Sequence, residues 1–407
     1  MVRYGPGRSM TQPQAGRARE SAVERASVYV HFPWCLAKCP YCDFVSYAAP
    51  REAIDHAGYA DAVVRELHIR APLAGGRRIG SVFFGGGTPS LWDPRELGRV
   101  LAAIHASLVL ADDVEVTVEC NPTSLDAASA RALREVGVNR LSVGTQALRQ
   151  EQLEFLGRLH DPAGARAAVV AALSSGIPRV TTDLIFGLPG QTPEDACAQA
   201  GALADLGLSH LSCYQLTIEP NTRFGELAKR GRLPRAEDGA VADSFLAIDE
   251  ALGARGFGHY EISNYAMSGE EARHNLGYWR GEEYLGLGCA AFGFIVGESA
   301  IRYRNELDPR KYVRSTESAA ALGAAESREI LDGEALLRER IMLGLRLAAG
   351  FDLERAASEL GVPAWTDERT RAAGRLQANG RLVRDGGRLR IPSRAWLWAD
   401  DTAARLF

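Results

Sequence analysis

Three cysteines fall within eight residues, in the run Cys35-Leu-Ala-Lys-Cys39-Pro-Tyr-Cys42, directly after a stretch of strand character. Thiolates this close together can each hold one iron of a [4Fe-4S] cube and leave the fourth iron open to a small molecule. Zinc is the competing metal, with His31 four residues upstream completing a Cys3His set. A second feature is Gly85-Gly86-Gly87-Thr88-Pro89, where the absence of Cβ atoms lets a backbone carbonyl or N–H approach the amino or carboxylate end of a ligand. By itself it would be a tight turn. On the same rim as the thiolates it favours the cluster, because under zinc the other rim residues would share no purpose. A third is His274-Asn275-Leu-Gly-Tyr278-Trp279, which joins an imidazole to two flat aromatic faces. The plain reading of His274 is a hydrogen bond within a loop.

These groups need a scaffold that brings them to one place. From Ser27 onward, short β-branched or apolar runs alternate with longer segments of helical period, the pattern of repeated βα units and a parallel sheet. Strands are expected over 27–32, 79–84, 114–120, 140–144, 180–186 and 210–217, with helices over 55–70, 93–107, 125–136, 161–174 and 193–206. The fold class is α/β, a partial TIM-type (β/α) barrel. Side-chain parity puts Glu115, Thr117, Glu119 and Asn121 on one face of their strand and Val114, Val116, Val118 and Cys120 on the other. The same split groups Ser142, Gly144 and Gln146, and also Thr181 and Asp183. Such polar faces line a barrel for a ligand at the C-terminal ends of its strands.

The organisation expected is a tail over 1–25, the barrel with the His274 segment over 26–300, a connector over 301–333 and a winged-helix-like α+β domain over 334–407. In that last part helices are expected over 334–347, 353–360 and 367–379, then a hairpin turning at Asp385-Gly386-Gly387. Its third helix mixes Asp and Glu with arginine, so no nucleic-acid binding is expected.

The length of 407 residues allows a barrel with an appendage. With Lys+Arg 47 against Asp+Glu 51, 46% hydrophobic and 24% charged residues, it reads as a globular chain and not as a polyanion binder or fibre. No run approaches the ~18 apolar residues of a membrane span, and no apolar segment follows the N-terminal arginines. Seven cysteines, an odd number with three clustered, argue against a disulfide framework. A cytoplasmic location is expected.

The cysteine loop, the GGGTP turn, Glu119-Cys-Asn121-Pro122, Gly144-Thr-Gln146, Arg158 and Asp183-Leu-Ile-Phe-Gly-Leu-Pro-Gly-Gln-Thr192 together resemble a radical S-adenosylmethionine protein of the oxygen-independent coproporphyrinogen oxidase group. The resemblance runs from about Val28 to Ala300. It implies that Cys35, Cys39 and Cys42 bind a [4Fe-4S] cluster whose open iron is chelated by S-adenosylmethionine. It further implies that Tyr29 and Tyr41 pack on the cofactor. Gly86, Gly87, Thr88 and Glu119 would receive the methionine amino end, Arg158 would pair with its carboxylate, Gln146 and Asp183 would hold the ribose hydroxyls, and Thr217 would touch the adenine.

Two subgroups then separate. The oxidases, which decarboxylate coproporphyrinogen III, carry a further cysteine where this chain has Phe44. The HNxxYW motif of His274, Asn275, Tyr278 and Trp279 instead resembles the haem-chaperone branch and implies haem as a third cofactor, with His274 a candidate iron ligand, and a haem-accepting apoprotein as partner. One departure is Phe292, where the family usually has histidine. Cys289 nearby is either a soft ligand or, more simply, a buried structural cysteine. A zinc-stabilised winged-helix regulator is the reading outside both classes.

Overall fold

A computed structural model describes residues 25–407. The tail expected over 1–25 lies outside the described residues, apart from Arg25, which opens the first strand. Six strands run parallel and in chain order: β1 (Arg25–Phe32), β2 (Arg78–Gly86), β3 (Leu110–Cys120), β4 (Arg140–Gln146), β5 (Arg179–Phe186) and β6 (His210–Gln215). The helices between them start where the sequence supplies caps. Asp55, Asp93, Asp126, Asp161 and Thr192 each accept a first-turn N–H, and Pro94, Pro162 and Pro193 occupy the first helical position, where no donor is needed.

The strand faces divide as parity requires. Val28, Val30, Phe32, Val82, Phe84, Val116, Val118, Leu141 and Val143 are buried against the helices, where Val63, Leu67, Leu97 and Leu101 join the same core. The opposite face is polar. At its N-terminal end a hydrogen-bonded plug fills the barrel: Arg179 Nη1 lies 2.8 Å from Glu115 Oε2, and His210 bonds to Thr181 at 2.6 Å and to the Tyr260 hydroxyl at 2.8 Å. The C-terminal end is left for the site.

The sheet does not close. Glu283–Leu287 adds a parallel strand beside β1, and Phe292–Val296, Ala300–Arg304 and Ser327–Leu331 continue outward antiparallel, while Asn264–Ala266 and Gly258–Glu261 flank β6. The result is a twelve-stranded open α/β sheet curved into a partial barrel. Residues 301–333 are therefore no bare connector. Their strands were illegible because one is an outer strand whose Ile330 faces solvent (74% exposed) and whose backbone pairing alone defines it. Two ends also differ from expectation: β6 stops at Gln215, short of Thr217, and β4 runs on to Gln146.

The C-terminal part carries the helices Gly333–Gly344, Leu353–Leu360 and Asp367–Ala378 and a small sheet of Phe351–Asp352, Val383–Asp385 and Arg388–Arg390 around its own core of Leu337, Ile341, Leu353, Leu376 and Leu389. It is winged-helix-like. Its first helix leans on the barrel's sheet through a two-pronged ion pair, Arg302 Nη1 and Nη2 to Glu339 at 2.8 and 2.6 Å.

Candidate functional site

The loop leaving β1 holds Cys35, Cys39 and Cys42, all unpaired and half-buried. The backbone fixes it: Ala49 N–H donates to the Cys35 carbonyl at 2.9 Å, and Cys42 N–H to the Cys39 carbonyl at 3.2 Å. Thr88 Oγ1 donates to Cys35 Sγ at 3.3 Å and Arg158 Nη1 to Cys39 Sγ at 3.5 Å. Burial, reinforced by the neighbouring thiols, raises the Cys35 thiol and pushes Cys42 up to about 11, a cost that binding to iron would reverse.

His31 is not a fourth ligand. Its Nδ1 meets the Tyr29 hydroxyl at 3.0 Å, its Nε2 meets the Val45 carbonyl at 2.8 Å, and burial lowers it to about 4. With His31 engaged elsewhere, the three thiols of the loop are left as the metal-binding set, which suits a cluster with one iron per thiol.

The glycine loop has a packing role beside its place on the wall of the smaller cavity. Gly87 N–H donates to the Phe32 carbonyl at 2.7 Å, and a Cβ there would lie 2.6 Å from the Trp34 carbonyl oxygen. Gly86, at φ +110°, passes flat over the His31 ring. These glycines zip the β2 loop onto the cysteine loop.

Beneath the thiols a cavity of about 450 Å³ is lined by Tyr41, Thr88, Gln146 and Thr217 among others. Glu119 and Asp183 face it, partly buried and without an ion-pair partner among the described residues. Glu119 accepts from Gly86 N–H at 3.1 Å, and burial, then the Asp183 charge, pushes its carboxyl up to about 8. Asp183 accepts from Ser142 Oγ at 3.2 Å, and burial lifts it to about 6 against that bond. Arg158 is also partly buried without a carboxylate. Its Nη2 donates to the Gly144 carbonyl at 2.8 Å and its Nε has no partner. Unpaired acids and an unpaired guanidinium around one space suit a ligand with both an ammonium and a carboxylate, plus hydroxyls to share, which is the donor set of S-adenosylmethionine. Gln146 holds a left-handed conformation (φ 65°), strain that marks functional positions.

A second cavity, of about 740 Å³, adjoins the first; Asp43, Phe44, Gly86 and Glu119 line both. It is mostly apolar, and Asn275, Tyr278, Trp279 and Phe292 line it. The helix Arg273–Trp279 that carries the HNxxYW motif lacks a capping side chain of its own, and Glu115 Oε1 supplies one by accepting the His274 N–H at 3.1 Å.

Tyr29 also lines this second space and not the first; it stands beside Glu119. His274 is buried, lowered to about 3 by desolvation, and stacked on Phe83 with ring centroids 4.8 Å apart. His274 Nδ1 lies 2.8 Å from Ser81 Oγ, which itself bonds to Ser27 at 2.9 Å, and Nε2 lies 3.0 Å from the Tyr278 hydroxyl. Both ring nitrogens of His274 are therefore hydrogen-bonded within the fold, one of them to Tyr278 of the same motif. Cys289 follows the plain reading, fully buried with Sγ on the Leu307 carbonyl. Sequence reasoning singled out Phe44 only as a subgroup marker, and missed Asp43 beside it at the junction and Arg302, Arg304 and Arg340 in the second cavity. For Arg302 and Arg304, alternation along Ala300–Arg304 was the available signal.

The Radical SAM superfamily profile matches residues 29–198, and the HemN C-terminal domain profile matches residues 331–398. The haem chaperone HemW of Mycobacterium tuberculosis (strain H37Rv) is 35% identical over 374 residues, 92% of each chain. The chain belongs to the HemW family. HemW of Escherichia coli K12 is 41% identical over 270 residues, 66% of this chain and 70% of that one, and the mouse mitochondrial radical S-adenosyl methionine domain-containing protein 1 is 36% identical over 343 residues, 81% and 75%. In fold the HemW-family chain matches E. coli coproporphyrinogen III oxidase (HemN), with a TM-score of 0.78 at 21% identity over 94% of this chain and 90% of that one. Membership in the radical SAM superfamily implies S-adenosylmethionine and a [4Fe-4S] cluster. Among the described residues no helix is long and apolar enough to cross a membrane.

Proposed function

We propose that the protein is a haem chaperone that holds haem in the larger cavity and passes it to an acceptor apoprotein. A [4Fe-4S] cluster on Cys35, Cys39 and Cys42 and S-adenosylmethionine in the smaller cavity complete the site. The observation that carries this reading is the pair of cavities sharing a wall, one ringed by thiols and the other apolar and lined by the HNxxYW residues. A volume of about 740 Å³ lies within the range of roughly 300–1,000 Å³ found for organic-ligand sites. Tyr278, held by His274, and Trp279 present flat apolar surface to a tetrapyrrole. When bound, cluster and S-adenosylmethionine supply one-electron chemistry at the junction of the two cavities. The chain's own part there is to orient the nucleoside through Glu119, Asp183 and Arg158 and to keep water from it. We place the protein in the cytoplasm, where seven unpaired cysteines stay reduced.

The test is a haem titration of anaerobically reconstituted protein. Saturable one-to-one binding with a Soret shift is expected. His274→Ala weakens it by removing the support of Tyr278 and leaves the Soret maximum in place. Absence of binding, or sustained formation of protoporphyrinogen IX from coproporphyrinogen III with reductant and S-adenosylmethionine, overturns the chaperone reading in favour of the oxidase.

A further inference from the structure

Three guanidiniums line the mostly apolar larger cavity: Arg302, Arg304 and Arg340. Arg302 is engaged with Glu339 on both prongs. The other two are not. Arg304, at the end of the Ala300–Arg304 strand, lies over the Phe292 ring with its Cζ 4.8 Å from the centroid, and its buried Nε has no hydrogen-bond partner. Arg340, on the helix Gly333–Gly344, runs past Gly281, whose missing Cβ leaves it room. Among the described residues neither guanidinium donates a hydrogen bond or lies within 4 Å of a carboxylate. Acids do surround Arg340, namely Glu282, Glu283, Glu339 and Glu359, yet desolvation outweighs them and lowers it. Leaving two guanidiniums half-buried and unpaired is costly unless an anion arrives from outside.

We propose that Arg304 and Arg340 are a clamp for the two propionates of haem, one guanidinium per carboxylate, and that the cavity thereby selects a dicarboxylate tetrapyrrole over a tetracarboxylate one. Arg304 comes from the extended sheet and Arg340 from the C-terminal domain, so the ligand bridges both parts of the molecule. This rests on the haem reading. A tetra-acid finds no third free guanidinium, because Arg302 is taken, and its extra carboxylates meet Glu282, Glu339 and Glu119 on the same walls. Selection follows from repulsion as well as attraction.

The experiment titrates haem, haem dimethyl ester and iron coproporphyrin III into the reconstituted protein and into Arg304→Gln and Arg340→Gln. Haem is expected to bind about tenfold tighter than the diester for each guanidinium engaged, and tighter than the tetra-acid. Each glutamine variant is expected to lose its share for haem while keeping the wild-type affinity for the diester. Arg304→Lys and Arg340→Lys are expected to restore part of the preference, which separates charge pairing from damage to the fold. Equal affinity of wild type for haem and diester, or a parallel loss for both ligands in the variants, overturns the clamp and leaves the haem reading standing. Failure of wild type to bind any of the three overturns both.

Discussion

Glu119 shows how a single partly buried side chain makes cofactor binding depend on pH. Its carboxyl is pushed up to about 8, so in the free protein it is largely protonated at neutral pH, whereas an ammonium group needs it ionised. Affinity for S-adenosylmethionine therefore rises with pH toward about 8, by about tenfold per unit below that value, and falls again above it as the ligand's own α-ammonium loses its proton. Isothermal titration in buffers of different protonation enthalpy should record one proton released on binding at pH 7. Glu119→Gln should bind more weakly and with this dependence flattened, and a retained slope would assign the proton elsewhere. That Glu119 faces the cavity was legible from its parity on the strand. For His274 the sequence offered only a residue type, and its bonds to Ser81 and Tyr278 are visible in the tertiary structure alone.

At the scale of elements, the motif helix Arg273–Trp279 is short and has no cap of its own, so a residue from another element must anchor it. Glu115 does so, and the same carboxylate takes Arg179 at 2.8 Å and stands 3.8 Å from Arg140. Glu115→Ala leaves the buried Arg140 without a carboxylate, takes from Arg179 one of its two acidic partners (Glu270 remains), and leaves one helix N-terminus unsatisfied. It should cost about 3–5 kcal/mol of stability, measured by urea unfolding, with haem affinity lost before the fold as the Tyr278 face detaches. A change under about 1 kcal/mol would show that the plug is redundant. The βα elements themselves were readable because caps, proline positions and alternation agree with the tertiary fold. The strands over 301–333 were not, since the outermost, Ser327–Leu331, is exposed along most of its length and is defined by its pairing partner.

For the whole molecule, the two-pronged Arg302–Glu339 pair joins the barrel's sheet to the first helix of the C-terminal domain across the larger cavity. Both side chains remain about a quarter exposed, 27% and 26%, so its direct contribution is modest. Arg302→Ala should lower unfolding stability by about 1 kcal/mol yet speed haem release several-fold, because the wall it holds is the one that encloses the ligand. Stopped-flow transfer to apomyoglobin reads the release rate, and an unchanged rate would separate that contact from retention.

The sequence by itself determined the parallel sheet, the thiol loop and the polar rim, since periodicity, cysteine spacing and glycine placement are properties of neighbouring residues. Tertiary structure alone decided which groups stay unpaired. Whether a guanidinium or an imidazole is free for a ligand depends on partners tens or hundreds of residues away, as with Arg302 and Glu339 or His274 and Ser81. Those partners meet only when the open sheet curves and the C-terminal helix comes to rest against it.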